Sequence, residues 1–164
     1  MIVIADTNVF IDSLFHQDPY CTEILRMEHK GELTFIMTNE MSEELVKTIF
    51  MHAQQLGFTL DEFQEPFYKL SRALRRTLPA NSTDKTLYCR DPKDDMFIHC
   101  AVDESIDFII SSDIHLREKN KVIRNKSQHP IEILKPQDFL NTYQGLNQGL
   151  KIQELAKKIN SNRL

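Results

Sequence analysis

The strongest constraint on this chain is at its start, where four apolar residues, Ile2-Val3-Ile4-Ala5, run directly into Asp6. A short run with no polar alternation is the pattern of a strand covered on both faces, as in a parallel sheet flanked by helices. An acid just beyond such a strand stands where open α/β sheets bind their ligands. The run is far too short to span a membrane. It has no basic lead and meets an acid at once, so a first strand is expected rather than a signal peptide.

The same alternation continues along the chain. Leu33 to Met37, residues 107–110 and Ile131 to Leu134 read as further short strands. Between them, Tyr20 to His29 reads as a helix broken by Gly31. Thr38 or Asn39 caps a second helix with Met41, Leu45, Ile49 and Ala53 at helical spacing. A third, Leu60 to Arg76, places Phe63, Phe67, Leu70 and Leu74 on one face. Pro79 to Pro92 reads as a polar loop before a helix from Asp94 to Glu104. Lys135-Pro136 starts a helix through Tyr143, with proline in the first turn that tolerates it. Leu150 to Ile159 forms a separate helical stretch with Ile152, Leu155, Ala156 and Ile159 along one stripe. Strands alternating with helices predict an α/β sheet with helices on both faces.

At 164 residues the chain fits one domain. Its three cysteines, Cys21, Cys89 and Cys100, include no Cys-x-x-Cys pair, which argues against a disulfide framework and a zinc site and for a reducing cytoplasm. The net charge of −4 runs against binding nucleic acid over the whole surface. Two local clusters offset it: Lys69, Arg72, Arg75 and Arg76, and Arg117, Lys119, Lys121, Arg124 and Lys126, with only Glu118 opposing the latter. Either can be a solvated face, and neither identifies a substrate.

The acids carry the chemistry. Asp113 follows the strand at 107–110 by two residues, so Asp6 and Asp113 both project into the crevice if their strands are neighbours. Asp91-Pro92-Lys93-Asp94-Asp95 crowds three carboxylates at a helix start, where a cation or the helix N-terminus must offset their repulsion. Either Asp94 caps and Asp95 faces the crevice, or the reverse. Glu44 lies one turn from Met41 and Thr48 and borders the buried stripe of its helix, whereas Glu43 shares a more exposed face with Lys47. Together these acids are an oxygen-only ligand set, suited to Mg²⁺ or Mn²⁺, hard ions that also bind phosphates.

These motifs resemble the PIN-domain family. Ile2-Val-Ile-Ala-Asp-Thr-Asn-Val-Phe10 is similar to its first strand and Asp-Thr-Asn signature, and Arg90-Asp-Pro-Lys-Asp-Asp-Met-Phe-Ile-His-Cys-Ala101 to its acidic helix start. Ile109-Ile-Ser-Ser-Asp-Ile-His-Leu116 and Ile133-Leu-Lys-Pro-Gln-Asp-Phe-Leu140 are similar to its later strand and its closing segment. The resemblance covers about residues 1–140, leaving 141–164 as a C-terminal helical extension. It implies a three-layer α/β/α sandwich with a central parallel sheet of about four to five strands. It also implies an Mg²⁺- or Mn²⁺-dependent endoribonuclease with Asp6, Glu44, Asp95 and Asp113 as catalytic, metal-binding acids. Asp94 is the other candidate ligand, though spacing to Ile98 and Ala101 favours Asp95. Asn8 and Ser111 match small polar positions that steady ligands or bind water. The subgroup it most resembles is the VapC-like toxins of toxin–antitoxin pairs, which implies a cytoplasmic protein with an RNA substrate, a small antitoxin partner and a homodimer. Asp12 and His115 match no role in the family.

Other readings fit less well. A phosphatase of the haloacid-dehalogenase type needs a second Asp two residues after the first, where this chain has Asn8. A response-regulator receiver wants an acidic pair at the first strand end. The non-enzymatic alternative is a catalytically silent PIN-fold module that binds RNA or protein, against which the full set of acids argues.

Overall fold

The computed structural model describes residues 1–117 and 122–161, with side chains through residue 148. Five parallel strands form one sheet: β1 (Ile2–Ala5), β2 (Thr34–Thr38), β3 (Leu78–Ala80), β4 (Phe108–Ile110) and β5 (Glu132–Leu134), in the order β3-β2-β1-β4-β5. From β1 the chain steps outward to β2 and β3, then returns to place β4 on the other side of β1. Strand order therefore reverses between β1 and β4, where such sheets open a ligand crevice. Their pairing, Ile4 with Ile109 and Ala5 with Ile110, makes Asp6 and Ser111 the first residues beyond the paired ends.

Burial shows why these short runs are strands. Val3, Ile4 and Ala5 are all sealed from solvent, as are Ile109 and Ile110. Successive strand residues point to opposite faces, so both faces of the central strands are covered. The flanking helices are α1 (Thr7–Leu14), α2 (Pro19–Lys30), α3 (Asn39–Gln55), α4 (Leu60–Arg76), α5 (Asp95–Asp103), α6 (Ile114–Arg117) and α7 (Pro136–Ser161). Asp18 caps α2 through the amides of Tyr20 and Cys21, and Gly31 ends it at φ 76°, a left-handed conformation that glycine adopts without steric cost. Thr38 caps α3 through the Met41 amide, and Met41, Leu45, Ile49 and Ala53 are its buried residues, the stripe that their spacing predicts.

Three local expectations change. Residues 78–80 pair with β2 as an edge strand although Pro79 lies within it; an edge position needs no ladder donor on its outer side, so the proline is tolerated. Helix α4 buries Pro66, Leu70 and Ala73, leaving Phe67 47% exposed in a surface cluster with Phe50 and Phe63. The two C-terminal helical stretches are one helix, α7, because glycine costs only about 1 kcal/mol inside a helix and Gly145 does not break it. The division at residue 140 consequently falls inside α7. Glu118, Lys119 and Lys121, and the side chains of Ile152, Leu155, Ala156 and Ile159, lie outside the described residues. Among the described residues, no helix is long and apolar enough to cross a membrane.

Ile98, fully buried, anchors α5 beneath the crevice with Phe97 and Ala101. Truncation to Ile98→Ala is expected to lower the unfolding free energy by about 2–5 kcal/mol, read as a reduced urea midpoint with an unchanged slope.

Candidate active site

Asp6 sits at the α1 N-cap position, 6% exposed, but its side chain makes no capping bond to that helix. Its Oδ2 instead accepts hydrogen bonds from Ser111 Oγ (2.6 Å) and Asn8 Nδ2 (3.3 Å). Ser111 is fully buried and also accepts from the Asp113 amide (3.0 Å), so one hydroxyl ties together the acids that follow β1 and β4. Burial pushes the Asp6 carboxyl up to about 6, against the lowering pull of Ser111 and the Thr7 and Asn8 amides, and the Asp113 charge raises it further.

Glu44 is half-buried on α3, with its pKa raised by burial and then by the Asp6 and Asp94 charges, while Lys93 lowers it. Asp94 occupies the N-cap position of α5 in helical backbone conformation and forms no side-chain cap. Its pKa is raised by burial, then by Asp113, Asp91 and Asp95, with His115 opposing. Electrostatic influences link the four: the Asp113 charge acts on Asp6 and Asp94, and the Asp6 and Asp94 charges act on Glu44. Among the described residues none of the four is in a salt bridge.

Asp95 is placed differently. It is 1% exposed, and its Oδ1 accepts the backbone amides of Tyr88 (3.0 Å) and Cys89 (2.6 Å). Its Oδ2 is buried with no hydrogen-bond partner among the described residues. One oxygen thus holds the preceding loop, while Asp94 takes the position coupled to Asp113 and Glu44.

The donor set is all oxygen and, among the described residues, none of its carboxylates is neutralised in a salt bridge, which fits a hard divalent cation. Among the described residues no three His, Cys, Asp or Glu side chains yet converge into a finished coordination sphere. Repulsion among four carboxylates works in that direction.

Two cationic groups at these acids were not singled out as site residues from the sequence. Arg117 Nε donates to the Asp113 carbonyl (3.2 Å), and Lys93 acts on Glu44. His115 belongs there too: its amide donates to Asp113 Oδ1 (2.7 Å) and its ring acts on Asp94. Motif spacing alone could have placed His115 and Arg117, since α6 begins one residue after Asp113 and turns both back toward it. Asp12 instead groups with His16, Asp18 and His52. Four of the seven described residues of the basic clusters are engaged elsewhere: Lys69 with Glu65, Arg76 with Glu28, Arg72 over the Tyr68 ring, and Lys126 with Asp103. A groove of about 960 Å³ lies between α2 and α4, floored by Leu14, Phe58, Pro66 and Ala73, and none of the four acids lines it.

The raised pKa of Asp6 has a definite sign. Between its ordinary value of 3.8 and about 6 the folded chain binds more protons than the unfolded one, so stability falls as pH rises through that window. Ionising Asp6 costs the folded state about 3 kcal/mol relative to the unfolded chain. Asp6→Asn keeps an acceptor for Ser111 but does not titrate. In chelator, its stability advantage over the wild type should be small at pH 4 and grow to about 3 kcal/mol by pH 7. Urea unfolding across that range measures it, and a pH-independent difference would contradict the assignment.

Comparison with known proteins agrees with the architecture. A chain from the crystal structure of VapBC2 from Rickettsia felis bound to a DNA fragment from their promoter superposes with a TM-score of 0.52 at 11% identity, covering 82% of this chain and 98% of that one. At that identity the likeness concerns the fold. No curated protein matches in sequence. The family model described as "PIN domain" matches residues 2–115, a span that runs from β1 through Asp6, Glu44, Asp94 and Asp113 to His115. The chain belongs to the PIN-domain family.

Proposed function

We propose that this protein is a divalent-metal-dependent endoribonuclease whose metal site is built from Asp6, Glu44, Asp94 and Asp113. The observation that carries this reading is the group of carboxylates at the reversal point of the sheet, where Ser111 ties Asp6 to Asp113 and neighbouring acids raise the proton affinity of Asp6, Asp94 and Glu44. Four acids are costly to hold together unless a cation offsets them. Membership of the PIN family, whose domains are generally nucleases, points to a phosphodiester as the substrate. Mg²⁺ or Mn²⁺ suits the oxygen donors, and Asp94 is preferred to Asp95 because Asp95 has one oxygen committed to two amides.

A bound hard cation supplies charge to a phosphate oxygen and lowers the pKa of a coordinated water. The side chains divide the remaining work. Ser111 and Asn8 fix the rotation of the Asp6 carboxylate, and Ser111 registers it against Asp113. Glu44, on α3, orients the attacking water. Lys93, His115 and Arg117 meet flanking phosphates. In hydrolysis the water oxygen bonds to phosphorus, one ester P–O bond breaks, and a proton from water ends on the leaving oxygen.

The biological setting belongs to the same proposal. The Rickettsia structure is of a VapBC2 assembly on promoter DNA. Its likeness to this chain favours a toxin with a small antitoxin partner, and the proposal takes the chain to act as a homodimer in the cytoplasm.

The test is cleavage of a labelled single-stranded RNA by the purified chain in Mn²⁺ and in chelator. Loss of outer-shell partners costs metal sites about 10–100-fold, so Asp6→Asn and Asp113→Asn, which remove ligands, should cost more than that. Folded Asp6→Asn protein with full metal-dependent cleavage would sink the assignment. RNA binding without cleavage by the wild type would favour the silent PIN module instead. Binding should also weaken steeply with salt, through Lys93 and Arg117 on phosphates.

A further inference from the structure

The segment 81–89, which enters the site just ahead of Asp94, is fastened along one face of α5. Asp95, His99 and Asp103 are spaced four residues apart, so they project from one stripe of the helix. Each grips a successive part of the segment, in antiparallel order. Asp103 Oδ2 accepts from Ser82 Oγ (3.0 Å) and from the Asp84 amide (3.0 Å), and the Thr83 amide joins them. His99 Nε2 lies 2.7 Å from the Thr86 carbonyl, to which it donates, and Asp95 Oδ1 takes the amides of Tyr88 and Cys89. Lys126 holds the other oxygen of Asp103 (2.8 Å), and Tyr88 Oη donates to Asp84 Oδ2 (2.7 Å), tying the segment to itself.

Beyond Cys89 the chain makes one turn, with the Asp94 amide on the Asp91 carbonyl (3.1 Å), and enters α5 at Asp95. Asp94 therefore ends the turn that joins the last rung to the helix. Its carboxylate must face Asp113 and Glu44 while like charges push it outward. A loop attached only at its ends would let it turn away.

We infer that Asp95, His99 and Asp103 form a polar ladder that positions Asp94, with Asp95 a positioning residue and not a ligand. This rests on the metal site proposed above. It explains why an almost wholly buried carboxylate stands next to these acids yet spends an oxygen on two backbone amides. It also gives functional weight to His99 and Asp103, one and two turns away from the acids.

The test compares Mn²⁺ affinity, by calorimetry or paramagnetic resonance, with hydrogen exchange at the amides of residues 82–89. His99→Ala should speed exchange there and weaken Mn²⁺ binding about tenfold or more, as loss of an outer-shell support does. His99→Gln, whose amide can still donate to Thr86, should restore both. Asp103→Ala should act in the same direction; if it fails to fold, the His99 pair still decides. Asp95→Asn, which keeps an oxygen for the two amides, should bind Mn²⁺ more like the wild type than like Asp94→Asn. Unchanged Mn²⁺ affinity in His99→Ala, or unchanged exchange, overturns the ladder. Asp95→Asn as damaging as Asp94→Asn makes Asp95 a ligand and overturns its assignment. A wild type that binds no Mn²⁺ overturns the metal reading, and this inference with it.

Discussion

A single hydroxyl group joins the two halves of the crevice. Ser111 Oγ donates to Asp6 at the end of β1 and accepts the amide of Asp113 beyond β4, in a position with no access to water. A hydrogen bond to a buried charged group stabilises it by more than one between neutral partners. Here it offsets part of the burial that pushes Asp6 upward. Without it, two strands paired through Ala5 and Ile110 would present two repelling acids with no common reference. The rest of the site is organised around that bond.

The second constraint is like-charge repulsion, met differently at each acid. Asp6 is held by Ser111 and Asn8. Asp113 receives the amide of His115 and carries Arg117 on its carbonyl. Glu44 is carried by a helix whose adjoining stripe is locked into the core by Met41, Leu45 and Ile49. Among the described residues Asp94 has no comparable direct anchor. The structure around it consists instead of the loop and α5, which fits the ladder drawn from Asp95, His99 and Asp103. A site made this way keeps its carboxylates at a distance until something positive draws them together, and burial and like charge raise the pKa of Asp6, Glu44 and Asp94.

How much of this was legible in the sequence depends on the range of the interactions. The central strands could be read because burial on both faces demands unbroken apolar runs, and the α3 stripe because its spacing is helical. Asp6 and Asp113 stood out because a strand end in an open sheet is a position with a known direction. The edge strand at Leu78–Ala80 was hidden, since Pro79 reads as a breaker unless one knows that its outer side is free. Phe67 misled for a related reason: helical spacing marks a face, but the neighbours decide whether that face meets the core or, with Phe50 and Phe63, the surface.

The choice between Asp94 and Asp95 shows the division most clearly. Sequence alone determined that an acidic helix start would lie near two strand-end acids, because apolar runs and helical periods are local properties of the chain. It left open which of two adjacent carboxylates turns toward them. Tertiary structure decided how Asp95 is held, since its Oδ1 takes the amides at 88 and 89 that reach it through a loop folded back along α5, and that contact is what favours Asp94 in the proposed site. Likewise the apolar run into Asp6 announced a strand and an acid. Only the pairing of β1 with β4, more than a hundred residues apart, brought Ser111 to that acid and gave its charge a fixed direction.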